Sequence, residues 1–274
     1  MTWKSAAARR IKDLAAEDSV EAAVIEIGRR LTDGQALPPT NLHTIFPRLA
    51  IQDCYPDQQL RTAGELRKVV DGFEIAYCGT DSLARRRFTI AHEIAHAVFE
   101  RTGPHCPRKG RELERICDMI AGEILVPYDS LNSLDGRRLD LDALSDLADT
   151  YQTSLTSMAI RCAKRFGMMA AQIEFGEVIW CVCPRAGGVV RPRTQIKRLA
   201  SLCGERRAGE FRCTVELRRS QVVKTMQWTT IGCADRQLFI FCNAEEFAPS
   251  AAQPSSASSR SRRIAGRQEL LAFS

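Results

Sequence analysis

The sequence predicts an α+β protein in which a mainly helical domain with a small sheet precedes a sheet-rich α/β C-terminal module. The helical part is predicted because apolar residues recur at helical spacing through most of residues 5–166, where one segment alternates like a strand. The second part is predicted by a change after Gly167, where short apolar runs are rich in β-branched and aromatic residues. The 274 residues suffice for one large domain or two modest ones.

The N-terminal part of the chain is predicted to be helical. Residues 5–31 carry apolar residues at roughly helical spacing, and a glycine and a proline pair end that helix. Residues 41–49 predict a second, short helix. We therefore assign residues 1–60 to an N-terminal helical segment that packs on the next domain.

The next domain, residues 61–166, is predicted to combine one strand with several helices. The strand covers residues 73–78 and ends at a Gly-Thr-Asp turn. The predicted helices are 85–101, 111–125, which ends near Pro127, and the pair 141–149 and 154–166.

The C-terminal module, residues 167–248, is predicted from five apolar runs and one helix near 195–203. The runs are 168–174, 178–183, 211–217, 222–229 and 238–242. A sensory or substrate-docking role fits such a module. Residues 249–274 form a Ser/Arg-rich tail, which is predicted to be disordered because it has too little apolar surface to bury.

Composition and charge narrow the class of protein. No run of about 18 apolar residues predicts a membrane span, and the N-terminus lacks the apolar core of a secretory signal, so we expect a cytoplasmic protein. The 11 cysteines are then mostly reduced thiols. Residues 1–150 hold 20 basic and 24 acidic residues, a net charge of −4, and the remainder carries +10. The second half therefore suits an acidic partner.

The segment H-E-I-A-H, residues 92–96, is the strongest chemical signal in the chain. On a helix, Ala91, Ile94, Ala95 and Val98 form an apolar arc, while the two histidines lie about 40° apart on its flank. Two imidazoles one turn apart can bind the same Zn²⁺, and the intervening glutamate can act as the base for a metal-activated water. The pattern predicts one Zn²⁺ per chain, held by His92 and His96, with Glu93 as the catalytic base.

A catalytic zinc site needs a third protein ligand. His105 and Cys106 follow closely in a loop and are one alternative. The helix over 111–125 offers a better one, because Glu114 and Asp118 share a face there. Glu114 would complete the metal site and Asp118 would orient a zinc-bound imidazole through its other nitrogen. Glu112 and Glu123, on the same helix, remain alternatives.

The two helices together resemble the ImmA/IrrE family of zinc metallopeptidases. The family pattern R-x-x-F-T-x-A-H-E-x-x-H is matched by R-R-R-F-T-I-A-H-E-I-A-H from Arg85, and a second family segment by E-R-I-C-D-M-I-A-G-E-I-L-V-P from Glu114. Ala95 replaces the usual glycine, and Cys117-Asp118 replaces Ala-Asn. The resemblance implies a zincin-like fold and the ligand set His92, His96 and Glu114.

The resemblance extends over residues 35–166 and implies a function. Some family members cleave Cro/cI-type repressors that control a mobile element or a stress response, so the expected partner is a helix-turn-helix repressor. Residues 73–78 correspond to the family's edge strand, on which an extended substrate can add as a further strand. Phe73, Ile75 and Tyr77 are therefore candidate substrate-binding residues, and a purely structural strand is the alternative.

Two other classes of function stay open. The chain could be a non-proteolytic regulator that binds a repressor or DNA, or a component of a toxin–antitoxin pair. A basic stretch between Arg185 and Arg207 could contact nucleic acid, although it lacks interleaved aromatic residues. Cys181-Val182-Cys183 allows a second metal or redox site. The sequence contains no C-x-x-C pair, which argues against such a site.

Overall fold

The computed structural model describes residues 3–35, 38–101, 110–134 and 139–182 with their side chains. Within these ranges, Leu141 and Met169 are described by their backbone alone. The structure also describes the backbone of 208–217, 220–233 and 236–243. Across these ranges the predicted mixture of helices with a small sheet is confirmed. The helix expected near 195–203, the basic stretch, Cys183 and the Ser/Arg tail lie outside the described residues.

The N-terminal segment forms two helices, so the prediction of a single helix over residues 5–31 is wrong. Helix α1, Ala6–Ala15, ends at Ala16 in the left-handed region with φ of 57°. Helix α2, Val20–Thr32, restarts because the Ser19 side chain accepts a hydrogen bond from the Ala22 N–H. A 3₁₀ helix, Leu42–Leu49, follows where a short helix was predicted.

A three-stranded sheet follows the 3₁₀ helix in the chain and precedes the helix that carries the two histidines. Its strands are β1, Ile51–Pro56, β2, Gly64–Val69, and β3, Gly72–Tyr77, in the order β1-β3-β2. Strand β3 pairs parallel with β1 and antiparallel with β2. The expectation that residues 73–78 form an edge strand is therefore wrong, because both hydrogen-bonding sides of β3 are already occupied.

Two long helices form the centre of the domain. Helix α3, Leu83–Glu100, begins at the capping residue Ser82, and α4, Arg111–Leu125, packs against it. The predicted apolar arc of α3 is confirmed, since Ala91, Ile94 and Ala95 are fully buried and Val98 is nearly so. This burial fixes the rotation of α3 about its axis.

The helices α5, Leu141–Thr150, and α6, Leu155–Arg165, agree with the predicted pair. A second 3₁₀ helix, Tyr128–Leu131, connects α4 to this part. Helix α6 is tied to the end of α4, because Arg161 donates to the carboxylate of Glu123 at 2.6 Å and to the carbonyl of Val126. This ion pair is buried, with Glu123 only 2% exposed.

The last described strands form a five-stranded antiparallel sheet in the order β5-β4-β8-β7-β6. They are β4, Met169–Glu174, β5, Glu177–Val182, β6, Ala208–Leu217, β7, Ser220–Cys233, and β8, Arg236–Asn243. Met168 and Ala170 join the main core. In the described part of the chain, no helix is both long and apolar enough to cross a membrane.

Candidate metal centre and active-site groove

Helix α3 brings the two histidines of the H-E-x-x-H segment to one point. One turn separates His92 from His96, so their rings meet edge to face with centroids 4.9 Å apart. Their Nε2 atoms are 3.1 Å apart. Both rings are largely buried, which leaves these nitrogens with few alternative partners.

Helix α4 contributes a carboxylate to the same point. The Oε2 atom of Glu114 lies 3.3 Å from His92 Nε2 and 3.6 Å from His96 Nε2. Of the two alternatives on α4, Glu112 instead accepts backbone N–H groups of residues 4 and 5, and Glu123 is paired with Arg161. His105 and Cys106 lie outside the described residues.

The three donor atoms fit a tetrahedral metal ion. Ligand atoms about 2.0–2.1 Å from Zn²⁺ at tetrahedral angles are separated from each other by about 3.3 Å. The observed separations of 3.1, 3.3 and 3.6 Å bracket that value. The side chain of Glu114 is 51% exposed, so the triangle opens toward solvent on one side.

Asp118 sets the orientation of one imidazole. Its Oδ1 atom lies 3.0 Å from Nδ1 of His92, on the side of the ring away from the donor triangle. A proton on Nδ1 donated to this carboxylate leaves the lone pair of Nε2 directed at Glu114 and His96. That tautomer is the one in which His92 can bind a metal.

The charges around the triangle shift the pKa values of both histidines. Burial lowers the pKa of His92, but the hydrogen bond and charge of Asp118, with the charges of Glu93 and Glu114, outweigh it and raise the pKa. Burial and the neighbouring His92 lower the pKa of His96. Carboxylates and imidazoles thus crowd around one point, where a cation would be stabilised.

Glu93 lies beside the triangle in a different environment. It is 8% exposed, and burial raises the pKa of its carboxyl to about 7. The backbone N–H of Leu66, in β2, hydrogen-bonds to it. A Cβ atom placed on Gly64 would come within 3.3 Å of its Oε1 atom, so β2 approaches closely here.

A cavity of about 640 Å³ joins these groups in one groove. It runs between β2 and the face of α3 that carries Arg85, Phe88, Thr89, His92, Glu93, His96 and Glu100. Glu114 and Asp118 of α4 also line it. The groove is therefore bordered by a strand on one side and by the donor triangle on the other.

The predicted substrate residues of β3 have different locations. Phe73 lines the groove, whereas Ile75 is fully buried in the core and Tyr77 is half-buried, and neither is among the lining residues of that groove. The strand that borders the groove is β2, which the sequence reasoning missed. The Asp71-Gly72 pair between two apolar runs was an available hairpin signal for β2 and β3.

Comparison with known families identifies the class of this domain. Residues 51–174 match the family model of the M78 peptidases, described as the IrrE N-terminal-like domain. Residues 51–174 are therefore a domain of this peptidase family, and the family resemblance seen in the sequence is confirmed for that domain.

A solved structure, a Mycobacterium tuberculosis transcriptional regulator, has a similar fold with a TM-score of 0.52. The similarity covers 89% of this chain and 97% of that one at 14% sequence identity, which supports a shared fold alone. No curated protein is significantly similar in sequence.

Proposed function

We propose that the chain is a zinc-dependent endopeptidase of zincin-like fold. The observation that carries the proposal is the triangle of His92 Nε2, His96 Nε2 and Glu114 Oε2, with edges of 3.1–3.6 Å, beside the carboxylate of Glu93. One Zn²⁺ per chain would be held by these three residues. The match to a peptidase family supports the same chemistry.

The residues divide the hydrolysis between them. Zn²⁺ in this position would supply Lewis-acid activation of a water and of the peptide carbonyl. Glu93 removes a proton from the attacking water and transfers it to the nitrogen of the departing amine, which a buried carboxylate in the groove can reach. Asp118 holds His92 in its ligating tautomer.

We propose that the substrate binds along β2. In the described sheet, β3 covers one side of β2 and the other side borders the groove, so an extended peptide can add there as a further strand. This assigns to β2 the role expected for residues 73–78, and leaves Phe73 as a groove-lining contact. By resemblance to the family, the proposed substrate is a Cro/cI-type helix-turn-helix repressor in the cytoplasm, whose cleavage derepresses a mobile-element or stress-response operon.

Glu93→Gln separates a peptidase from a regulator that acts by binding. The amide keeps the shape of the side chain but cannot accept the proton, so we expect cleavage to fall at least about 100-fold. The assay is mass spectrometry of a helix-turn-helix repressor encoded beside the gene, incubated with wild-type or variant protein. Zinc content, measured in parallel, should be equal in both.

Full derepression in cells that carry only the Glu93→Gln variant would overturn the peptidase proposal and favour the binding alternative. If the wild-type protein cleaves a proteome-derived peptide library but not the neighbouring repressor, only the substrate part of the proposal fails.

A further inference from the structure

The third candidate ligand, Glu114, lies near one end of its helix and is half exposed. Glu114 lies in the first turn of α4, which begins at Arg111. Gly110, the residue before it, provides no side-chain capping hydrogen bond. The first turn of a helix leaves N–H groups without intrahelical partners and tends to fray. A metal ligand in that turn needs support from elsewhere in the fold.

The N-terminal residues provide such support through Glu112. Its Oε2 atom accepts the backbone N–H of Ser5 at 2.9 Å and that of Lys4 at 3.3 Å. Ser5 is also the capping residue of α1, since its hydroxyl accepts the N–H of Ala8. The carboxylate of Glu112 therefore lies at the start of α1, where the helix dipole favours a negative charge.

Trp3 makes a second contact with the same turn. The guanidinium of Arg115 lies over its ring, 5.1 Å from the ring centroid, and the indole N–H donates to Glu21 of α2 at 3.2 Å. We name Trp3, Lys4 and Ser5 the N-terminal clamp. It holds the residues two before and one after Glu114.

We infer that the N-terminal clamp positions Glu114 for the metal, and that Glu112 is a positioning residue of the metal centre. This rests on the proposed function, because it takes Glu114 as a ligand. Leu113, Ile116 and Ile120 are buried and keep α4 in place without the clamp. Loss of the clamp should therefore loosen the first turn and the direction of Glu114, and leave the rest of the fold intact.

Glu112→Ala tests this inference against a matched control, Asp129→Ala. Asp129 likewise bonds to an N-terminal helix, because its exposed carboxylate forms an ion pair with Arg29 of α2 at 2.9 Å. It lies beyond the other end of α4, after Leu125. We expect Glu112→Ala to raise the dissociation constant for Zn²⁺ about tenfold, the lower end of the range for groups that orient ligands. Asp129→Ala should leave it within about twofold.

Three measurements separate positioning from general stability: Zn²⁺ affinity by chelator competition, the visible spectrum of the Co²⁺-loaded protein, and the thermal midpoint of the metal-free protein. The two alanine variants should have similar midpoints, and only Glu112→Ala should alter the Co²⁺ spectrum. Glu112→Gln, which keeps an oxygen acceptor, should restore part of the affinity and serves if the alanine variant fails to fold.

Wild-type affinity in both Glu112 variants, or an equal loss in Asp129→Ala, would overturn the inference while the zinc site stands. If the wild-type chain itself binds no Zn²⁺, the proposed function fails and the inference fails with it.

Discussion

At the residue scale, Cys54 and Cys78 are both partly buried thiols, and their surroundings shift their pKa values in opposite directions. Burial raises the pKa of Cys54 to about 12. A hydrogen bond with the Thr80 hydroxyl, 3.2 Å away, lowers the pKa of Cys78. Because the thiolate is the reactive form, iodoacetamide near pH 7.5 should modify Cys78 well before Cys54. Peptide mass spectrometry over a time course measures both rates.

Thr80→Val is the control for this prediction, since it removes the hydrogen bond and should slow Cys78 alone. Faster labelling of Cys54 than of Cys78 in the native protein would contradict the assignment of these surroundings.

Individual site residues differed in how far the sequence could locate them. His92, Glu93 and His96 lie within five residues, so helical periodicity alone indicates their relative positions. The choice among Glu112, Glu114 and Glu123 depends on how α4 is rotated against α3 and on which carboxylate another element occupies. Ser5 is 107 residues from Glu112 along the chain, and no local pattern encodes such a contact.

At the element scale, the width of the groove depends on a glycine where β2 crosses α3. A Cβ atom on Gly64 would lie 2.3 Å from Cγ2 of Thr89. Gly64→Ala should push β2 away from α3 and cost about 1–3 kcal/mol of stability through overpacking. The same shift moves the substrate strand relative to Glu93, so kcat/KM should fall, by up to about 100-fold for a displacement near 1 Å.

Thr89→Ser removes the colliding methyl group and keeps the hydroxyl. The double variant Gly64→Ala/Thr89→Ser should therefore recover much of both the thermal midpoint and kcat/KM. If the double variant is no better than Gly64→Ala, close approach of β2 to α3 is not what the glycine provides.

The same scale shows why some elements were predicted and others were not. Helices α3 and α4 are long and strongly periodic, and the structure agrees with their predicted extents closely. Strands β1 and β2 lie on a sheet with one polar face, where Arg67 bonds to Asp57, Tyr55 and Glu65. These two strands contain too few apolar residues for the sequence pattern to predict them as strands. The break between α1 and α2 depends on Ser19, which caps α2. A serine is also found inside helices, so its presence alone did not predict the break.

At the scale of the whole molecule, the α3–α4 pair is held from several sides. The sheet and the first 3₁₀ helix pack on α3, and α1 and α2 pack on α4. The N-terminal clamp holds the start of α4, and the ion pair of Glu123 with Arg161 holds its end. Gly28 of α2 permits this packing, since a Cβ atom there would lie 2.2 Å from Cγ of Glu123. A metal ion bound by the two histidines and Glu114 would add a direct link between α3 and α4.

Zn²⁺ binding should therefore stabilise the folded chain through that link. An ion that binds only the folded state at 100 times its dissociation constant adds about 2.7 kcal/mol, which corresponds to a rise of about 5–10 °C in the thermal midpoint for a domain of this size. Glu93→Gln should retain the rise because it leaves the three ligands in place, whereas Glu114→Ala should lose most of it. Differential scanning calorimetry with and without Zn²⁺, reversed by a chelator, measures the effect. An equal rise in Glu114→Ala and wild type would mean that Zn²⁺ binds elsewhere and that α4 contributes no ligand.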